Sequence, residues 1–307
     1  MDKVLITGGS GFIGSNLANY LYDLGTKVYV IDDLSKGKKE YLKKGIQLEV
    51  TDIASNKAID FIKKVKPEFI VHLAAQSNQE ISFKNPKADL EKNFFPIAKI
   101  TEVASQIKVK KFVFSSSAAI YAETENVPID ELSKKEPTSP YGVSKLCSEY
   151  YLNFAGKHYN LPYITLRFSN VYGENQDSTA EGGVVAIFIL KAIKGEKITI
   201  FGSGEQTRDF IYVKDVIDLI YRSMNSQLKG EFNVGTSRET SINTLSNLIL
   251  KITNKKLSVQ YEKNRNFGVK RNALSNQKIY RHLNWKPKIS LETGLNLTAN
   301  FFKVRSS

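Results

Sequence analysis

Cysteine is almost missing from this chain of 307 residues: Cys147 stands alone. No internal disulfide can form, and the expected setting is a reducing cytoplasm. Cys147 lies two residues after Lys145 in a helical pattern and reads as a packing residue rather than a nucleophile. Long apolar runs are also missing. No stretch approaches the roughly 20 residues that a membrane helix needs, and Met1-Asp2-Lys3 leads directly into a strand without a signal-length apolar segment. No membrane partner is expected. The net charge is +13, from 44 Lys and Arg against 31 Asp and Glu. Yet the basic residues come singly or in pairs such as Lys38-Lys39, Lys43-Lys44, Lys63-Lys64 and Lys110-Lys111, and no basic stripe is interleaved with aromatics. That pattern is a solvated surface and argues against a nucleic-acid partner. No group of side chains has metal-ligand spacing, and His72 reads as a structural residue at a strand end. No repeat or low-complexity segment is seen.

What is present is an alternation of short apolar strands and helices. Strand patterns cover residues 3–7, 28–31, 46–50, 69–73, 111–115 and 163–168. Helical patterns cover 12–24, 56–65, 89–106 and 141–159. Such alternation predicts an α/β fold with a parallel sheet covered on both faces and ligands at the carboxyl ends of the strands. After Gly173 the rhythm changes, with a polar stretch to Gly183, then a helix over 184–194 and a strand over 198–201. The expected division is a cofactor-binding domain over 1–173 and a smaller lobe over 174–307, with 209–236 returning to the first.

The first strand runs into Gly8-Gly9-Ser10-Gly11-Phe12-Ile13-Gly14 and then a helix. A phosphate can sit on the start of that helix only if the backbone is unobstructed. Gly8 serves the tight turn, Gly11 the approach of a pyrophosphate, and Gly14 the packing of helix on strand. The second strand ends in Asp32, where a carboxylate accepts bonds from an adenosine ribose and repels a 2′-phosphate. NAD is therefore expected over NADP. The competing reading is an ordinary strand-turn-helix without a ligand.

The fifth strand ends in Ser115-Ser116-Ser117, and Tyr141 and Lys145 stand four apart at a helix start, hence on one face. A free phenol titrates near ~10 and is a poor base at neutral pH. A lysine cation on the same face is expected to lower it. The tyrosine can then take a proton from a hydroxyl while hydride leaves the carbon. A tyrosine and lysine at this spacing are common by accident; here they follow a serine-ended strand in a chain with a dinucleotide turn.

Together these motifs resemble the extended short-chain dehydrogenase/reductase family, specifically nucleotide-sugar epimerases of the UDP-glucose 4-epimerase type. The resemblance spans essentially the whole chain. It also includes Asp32-Asp33-Leu34-Ser35-x-Gly37, Asp52-Ile53, His72-Leu73-Ala74-Ala75, Leu166 to Gly173, Gly202 to Phe210, and Leu283-Asn284-Trp285-Lys286-Pro287. It implies a Rossmann-type doubly wound sheet with a smaller C-terminal substrate lobe. It implies that Asp52 and Ile53 hold the adenine, and that Ala74, Ala75 and Gln76 line the phosphates and nicotinamide. Phe12, Ile13, Asp33, Ser35, Gly37, Leu73, Ser115 and Phe168 complete the implied cofactor set. Ser117 corresponds to the catalytic hydroxyl, Tyr141 to the base, and Lys145 to the residue on the nicotinamide ribose. Asn170, Arg208 and Arg265 would hold the diphosphate, for which guanidinium groups are suited. The alternative for Arg208 is an ion pair with Asp209. Asn272, seven residues after Arg265, would line the sugar pocket and admit an N-acetyl group.

The chain departs from the family pattern at Asn266 to Val269 and at Ser275. Ala118 and Ala119 stand where 4,6-dehydratases carry an acid pair. The implied activity is therefore NAD-dependent 4-epimerisation through a transient 4-keto sugar. A reductase or dehydratase of the same family, or a silent dinucleotide sensor, stands as the alternative. A homodimer is implied, built from the 89–106 and 141–159 helices, with Ile97, Ile100, Val103, Leu146, Tyr150 and Phe154 as its apolar surface.

Overall fold

The computed structural model describes residues 2–177, 179, 183–263 and 269–306. Its centre is a sheet of seven strands: β1 (Lys3–Thr7), β2 (Lys27–Asp32), β3 (Gln47–Val50), β4 (Phe69–His72), β5 (Lys111–Ser117), β6 (Tyr163–Phe168) and, after four short strands, Gly230–Val234. Every pairing is parallel, in the order β3-β2-β1-β4-β5-β6 with Gly230–Val234 outermost. The order reverses between β1 and β4. There the connections leave in opposite directions and open a crevice at the carboxyl ends of the strands.

Successive side chains of a strand face opposite sides, and the core divides accordingly. Val4, Ile6, Val71, Val113 and Leu166 join one cluster. Leu5, Ile70, Phe112 and Phe114 join the other. The second cluster is closed by α2 (Asn56–Val65) and, after the short helices α3 (Gln79–Lys84) and α4 (Pro86–Asn93) that follow β4 in the chain, by α5 (Phe95–Gln106) and α6 (Pro140–His158). The first is covered by α1 (Phe12–Asp23) and by Val213–Met224. It runs on without a break into the lobe, through Val185, Phe188 and Ile189 of Val184–Lys194 and Leu245 and Ile249 of Ile242–Thr253. The lobe adds a small parallel pair, Ile198–Phe201 with Val259–Glu262. No helix among the described residues is long and apolar enough to cross a membrane.

Two expectations need correction. The helix expected over 89–106 is two helices, broken at Phe94. Pro96 has no N–H to offer the preceding turn, so Phe94 N closes α4 on Leu90 O at 2.9 Å and Ile97 N starts α5 on Phe94 O at 3.0 Å. The apolar surface expected for a dimer is also misassigned in part. Ile97, Ile100, Val103 and Leu146 are buried inside the chain, whereas Phe95, Val143, Tyr150 and Phe154 are exposed by 56%, 42%, 65% and 41%.

Candidate active site

The glycine turn joins the carboxyl end of β1 to the start of α1. Gly8 has φ +68. A β-carbon on Gly14 would lie 2.2 Å from Gly8 O and 2.7 Å from Gly9 Cα, so any larger residue would force the helix off the turn. The helix begins at Gly11 with no side chain capping it. In contrast, α2, α3, α4 and α6 are capped by Ser55, Asn78, Asn85 and Ser139. A capless start on a glycine-lined turn leaves N–H groups for a phosphate. Phe12 and Ile13 pack half-buried on the core behind it.

Asp32 ends β2 at 8% exposure and accepts Ser10 N at 2.8 Å and Leu34 N at 2.9 Å. Burial pushes its carboxyl above the usual range, and the two backbone bonds pull it back. The carboxylate thus ties the glycine turn to the neighbouring strand end, where a ribose would meet it. Gly37 lies against Ser10 and Asp32. Asp33 accepts from Ser35 N and Oγ in an exposed turn. Asp52 is exposed and accepts Ala54 N at 2.7 Å, beside buried Ile53. After β4, Leu73 N and Ala74 N donate to Thr7 O and Oγ1, and Ala75 is exposed. These residues form one rim along the strand ends, and their chemistry fits NAD.

Gln76 departs from the expected role. Its side chain turns inward, with Nε2 donating to Asp89 Oδ1 (2.9 Å) and Asn78 O, and Oε1 accepting Asn78 N.

Close backbone contacts set the reacting groups together. β5 carries Ser115 and Ser117 at its carboxyl end; between them Ser116 points the other way and donates to Glu149. Ser117 Oγ accepts Ala119 N at 3.2 Å and starts a tight turn. The start of α6 rests on that turn: a β-carbon at Gly142 would lie 2.2 Å from Ala119 O. Ser139 caps the helix by accepting Gly142 N. Tyr141 is therefore held beside Ser117 and is 9% exposed. One helical turn on, Lys145 Nζ donates to Ser115 O at 2.8 Å and lies 4.9 Å from the centre of the Phe114 ring and 5.9 Å from that of Tyr141.

The expected lowering of the phenol is not found in the protein alone. Burial pushes Tyr141 up to about 12; a hydrogen bond with Ser117 opposes this and the charge of Asp89 adds to it. Lys145 cannot overcome burial because its own cation is penalised by it, and the lysine is pushed down to about 8. His72, fully buried between Phe112 and Phe114, is held neutral by burial, at about 3.

The other side of the crevice is assembled from distant segments. Phe168 is buried and Asn170 is exposed just beyond β6. Asn170 N donates to Asp209 O. Arg208 Nη1 donates to Thr207 O at 2.7 Å and Val269 O at 2.8 Å. The alternative ion pair fails because Asp209 is 0% exposed and fully engaged by Thr236 N and Oγ1, Ser237 N and Leu274 N. Arg208 is thus a partly buried cation with no anion among the described residues. Arg271, by contrast, is neutralised by Glu239 in a bidentate pair. Asn272 is 8% exposed, and its Oδ1 is buried with no hydrogen-bond partner among the described residues. Arg265 lies outside the described residues.

Sequence reasoning missed two buried polar clusters beside these groups. One links Gln76, Asp89, Asn93 and Ser144. The other is the Arg167–Glu149 ion pair, joined by Ser116 and Tyr121. Asp89 and Asn93 are spaced i, i+4, which puts them on one helix face; that spacing was the available signal.

A model of the NAD dependent epimerase/dehydratase family matches residues 4–235. A putative UDP-glucose 4-epimerase of Methanocaldococcus jannaschii is 37% identical over 302 residues, 98% of each chain. The crystal structure of a UDP-glucose 4-epimerase from Thermotoga maritima with UDP-glucose superposes with a TM-score of 0.97 at 38% identity, covering 99% of this chain and 100% of that one. A UDP-glucose 4-epimerase of Thermus thermophilus in complex with NAD gives a TM-score of 0.94 at 34% identity, with 98% and 99% covered. With the glycine turn, Asp32 and the Ser117, Tyr141 and Lys145 group already in place, these matches establish that the chain belongs to the NAD-dependent epimerase/dehydratase family.

Proposed function

We infer that the protein is an NAD-dependent UDP-sugar 4-epimerase, an isomerase. The observation that carries this reading is the packing of Tyr141 against Ser117, with Lys145 one turn on, at the strand ends that also carry the glycine turn. Bound NAD+ supplies the hydride acceptor, and its positive charge favours the phenolate that burial disfavours. Tyr141 takes the proton of the sugar 4-hydroxyl as hydride leaves carbon 4, and returns it after hydride is delivered to the opposite face. Ser117 hydrogen-bonds the same oxygen, and Lys145 holds the ribose side of the pocket. Arg208, Asn170 and Arg265 anchor the diphosphate while the keto sugar turns over. Asn272 walls the sugar pocket. Residues 1–173 with 209–236 serve the cofactor, and the remainder of 174–307 serves the nucleotide-sugar.

Ala118 and Ala119 leave no carboxyl beside Ser117 to eliminate water, which favours epimerisation over dehydration. The test is a panel of UDP-, dTDP- and GDP-sugars with separation of products. A UDP-hexose should yield its 4-epimer with no change in mass. Loss of water from the product would replace this reading with a dehydratase.

The working form is a cytoplasmic homodimer. Phe95, Val143, Tyr150 and Phe154 lie exposed on α5 and α6, an apolar face suited to an isologous contact across a two-fold axis. Light scattering should give twice the mass of 34.5 kDa, and Tyr150→Glu should return it to one chain. A wild-type monomer at micromolar concentration would contradict the dimer.

A further inference from the structure

Glu239 and Arg271 form an ion pair on the lobe side of the crevice, and the reaction above gives them no task. Arg208, close by, is held by two carbonyls, Thr207 O at 2.7 Å and Val269 O at 2.8 Å. A carbonyl fixes a guanidinium without cancelling its charge. The two carbonyls belong to segments far apart in the chain. The place of the guanidinium therefore depends on whatever holds those segments together.

Glu239 joins them. Its Oε1 accepts Thr207 Oγ1 and, at 3.0 Å, Arg271 Nε; its Oε2 accepts Arg271 Nη2. Thr207 precedes Arg208, and Arg271 stands two residues after Val269. One backbone bond closes the ring, from Thr207 N to Lys270 O at 2.9 Å. Glu239 is itself placed by the strand that follows it. In that antiparallel pair Thr240 lies opposite Arg208 and Ser241 opposite Thr207. The same knot reaches the stretch beyond the turn that Ser117 begins: Arg271 Nη1 donates to Glu125 O at 3.0 Å and Lys270 N to Glu123 Oε1 at 3.1 Å. Stability does not account for the pair. Its side chains are 39% and 23% exposed, and an ion pair so open to solvent adds little. Its two-pronged geometry does fix orientation. It also spends the charge of Arg271, while Arg208 has no anion among the described residues.

We propose that Glu239 is a positioning residue for the diphosphate of the substrate. It locks the Thr207 segment to the Val269–Arg271 segment, so that the Arg208 guanidinium stands fixed and with its charge uncancelled. This role rests on Arg208 being the diphosphate anchor, as read above. Glu239 does not touch the substrate; it acts through Arg208. The arginine beside it holds its carboxyl below the usual range, so the knot persists at neutral pH.

A double-mutant cycle tests whether Glu239 works through Arg208. UDP binding to the NAD-loaded protein is measured by calorimetry in wild type, Glu239→Ala, Arg208→Ala and the double variant. Glu239→Ala should raise the Kd for UDP about tenfold in the wild-type background. Where Arg208 is already Ala it should raise it by no more than about twofold, because residues that act as one unit are not additive. Affinity for NAD+ should be unchanged. In turnover, KM for the UDP-sugar should rise with kcat held within about twofold, the signature of lost ground-state binding. Equal weakening in both backgrounds overturns the proposal, since a merely structural role would give that result. An unchanged or lower Kd in Glu239→Ala also overturns it; a lower one would mean that the freed Arg271 takes the anion itself. Should Glu239→Ala fail to fold, Thr207→Val breaks the bond into the ring and keeps the ion pair. It is read by the same cycle with the same outcomes, at about fivefold. Absence of UDP binding in wild type, or an unchanged Kd in Arg208→Ala, refutes the anchor and this role with it. Wild type that binds UDP but leaves UDP-sugars unchanged would refute the epimerase reading alone, and the binding cycle would stand.

Discussion

At the glycine turn the protein offers backbone: Gly8, Gly11 and Gly14 clear a path to the uncapped start of α1, and Asp32 ties the turn to β2. Across the crevice, around Arg208, it offers a side chain. That guanidinium is held by Thr207 O and by Val269 O, 61 residues away. The first region is built from about thirty consecutive residues on two adjacent strands and the helix between them. The second comes together only when the segments near 170, 208, 236 and 270 meet. A backbone cradle works by what is left out, so it fails when an atom is added. A side-chain cradle works by what is present, so it fails when atoms are removed.

Substitutions on each side test that contrast. Gly14→Val adds atoms where a β-carbon already meets backbone at 2.2 Å. It should abolish NAD binding by calorimetry and lower stability by at least the roughly 1–3 kcal/mol of core overpacking, read as a fall in melting temperature. Normal cofactor affinity in this variant would break the distinction.

Tyr141→Phe, between the two regions, removes one oxygen and little packing. Turnover should fall by about 10²–10⁴-fold, with the melting temperature and NAD affinity unchanged. Substantial residual turnover would remove Tyr141 as the base. Ser117→Ala removes a hydrogen bond and leaves the base; its loss should lie at the lower end of that range.

Arg208→Ala should leave NAD affinity intact and raise KM for the UDP-sugar by about 10–100-fold, the effect of a charge-assisted contact worth roughly 1.5–3 kcal/mol. Equal weakening of cofactor and sugar would mean that the two regions are one.

The smallest effect is expected at Asn272. Asn272→Tyr should shift the ratio of kcat/KM for N-acetylated over plain UDP-hexoses downward by about tenfold, because a buried amide partner is lost and the wall thickens. An unmoved ratio takes Asn272 out of the pocket.

How much of this was legible beforehand follows the same divide. The order of strands and helices through Phe168, the glycine turn, Asp32 and the Tyr141-Lys145 spacing are local patterns, and the doubly wound sheet they predict is the one found. The break at Phe94 was also written locally, in Pro96, and was passed over because the apolar periodicity runs across it. The state of Tyr141 was not legible. Spacing placed a lysine on its face, but the outcome depends on how deeply β5, α4 and α6 bury both groups, and burial wins. Nor could a single sequence tell whether Arg208 pairs with the adjacent Asp209. Four donors from Thr236, Ser237 and Leu274 occupy that carboxylate instead.

By itself, then, the amino-acid order determined what short-range geometry can determine. Glycine spacing sets where backbone can approach a phosphate, strand-and-helix alternation sets a parallel sheet with its site at the strand ends, and a four-residue step sets which side chains share a helix face. The tertiary structure alone decided which charges meet. Asp89 reaches the Tyr141-Lys145 segment through Asn93 and Ser144, Glu149 is spent on Arg167, and Arg208 has no anion among the described residues. Burial and long-range contact set the energy of a charge, and neither is a property of neighbouring positions in a chain.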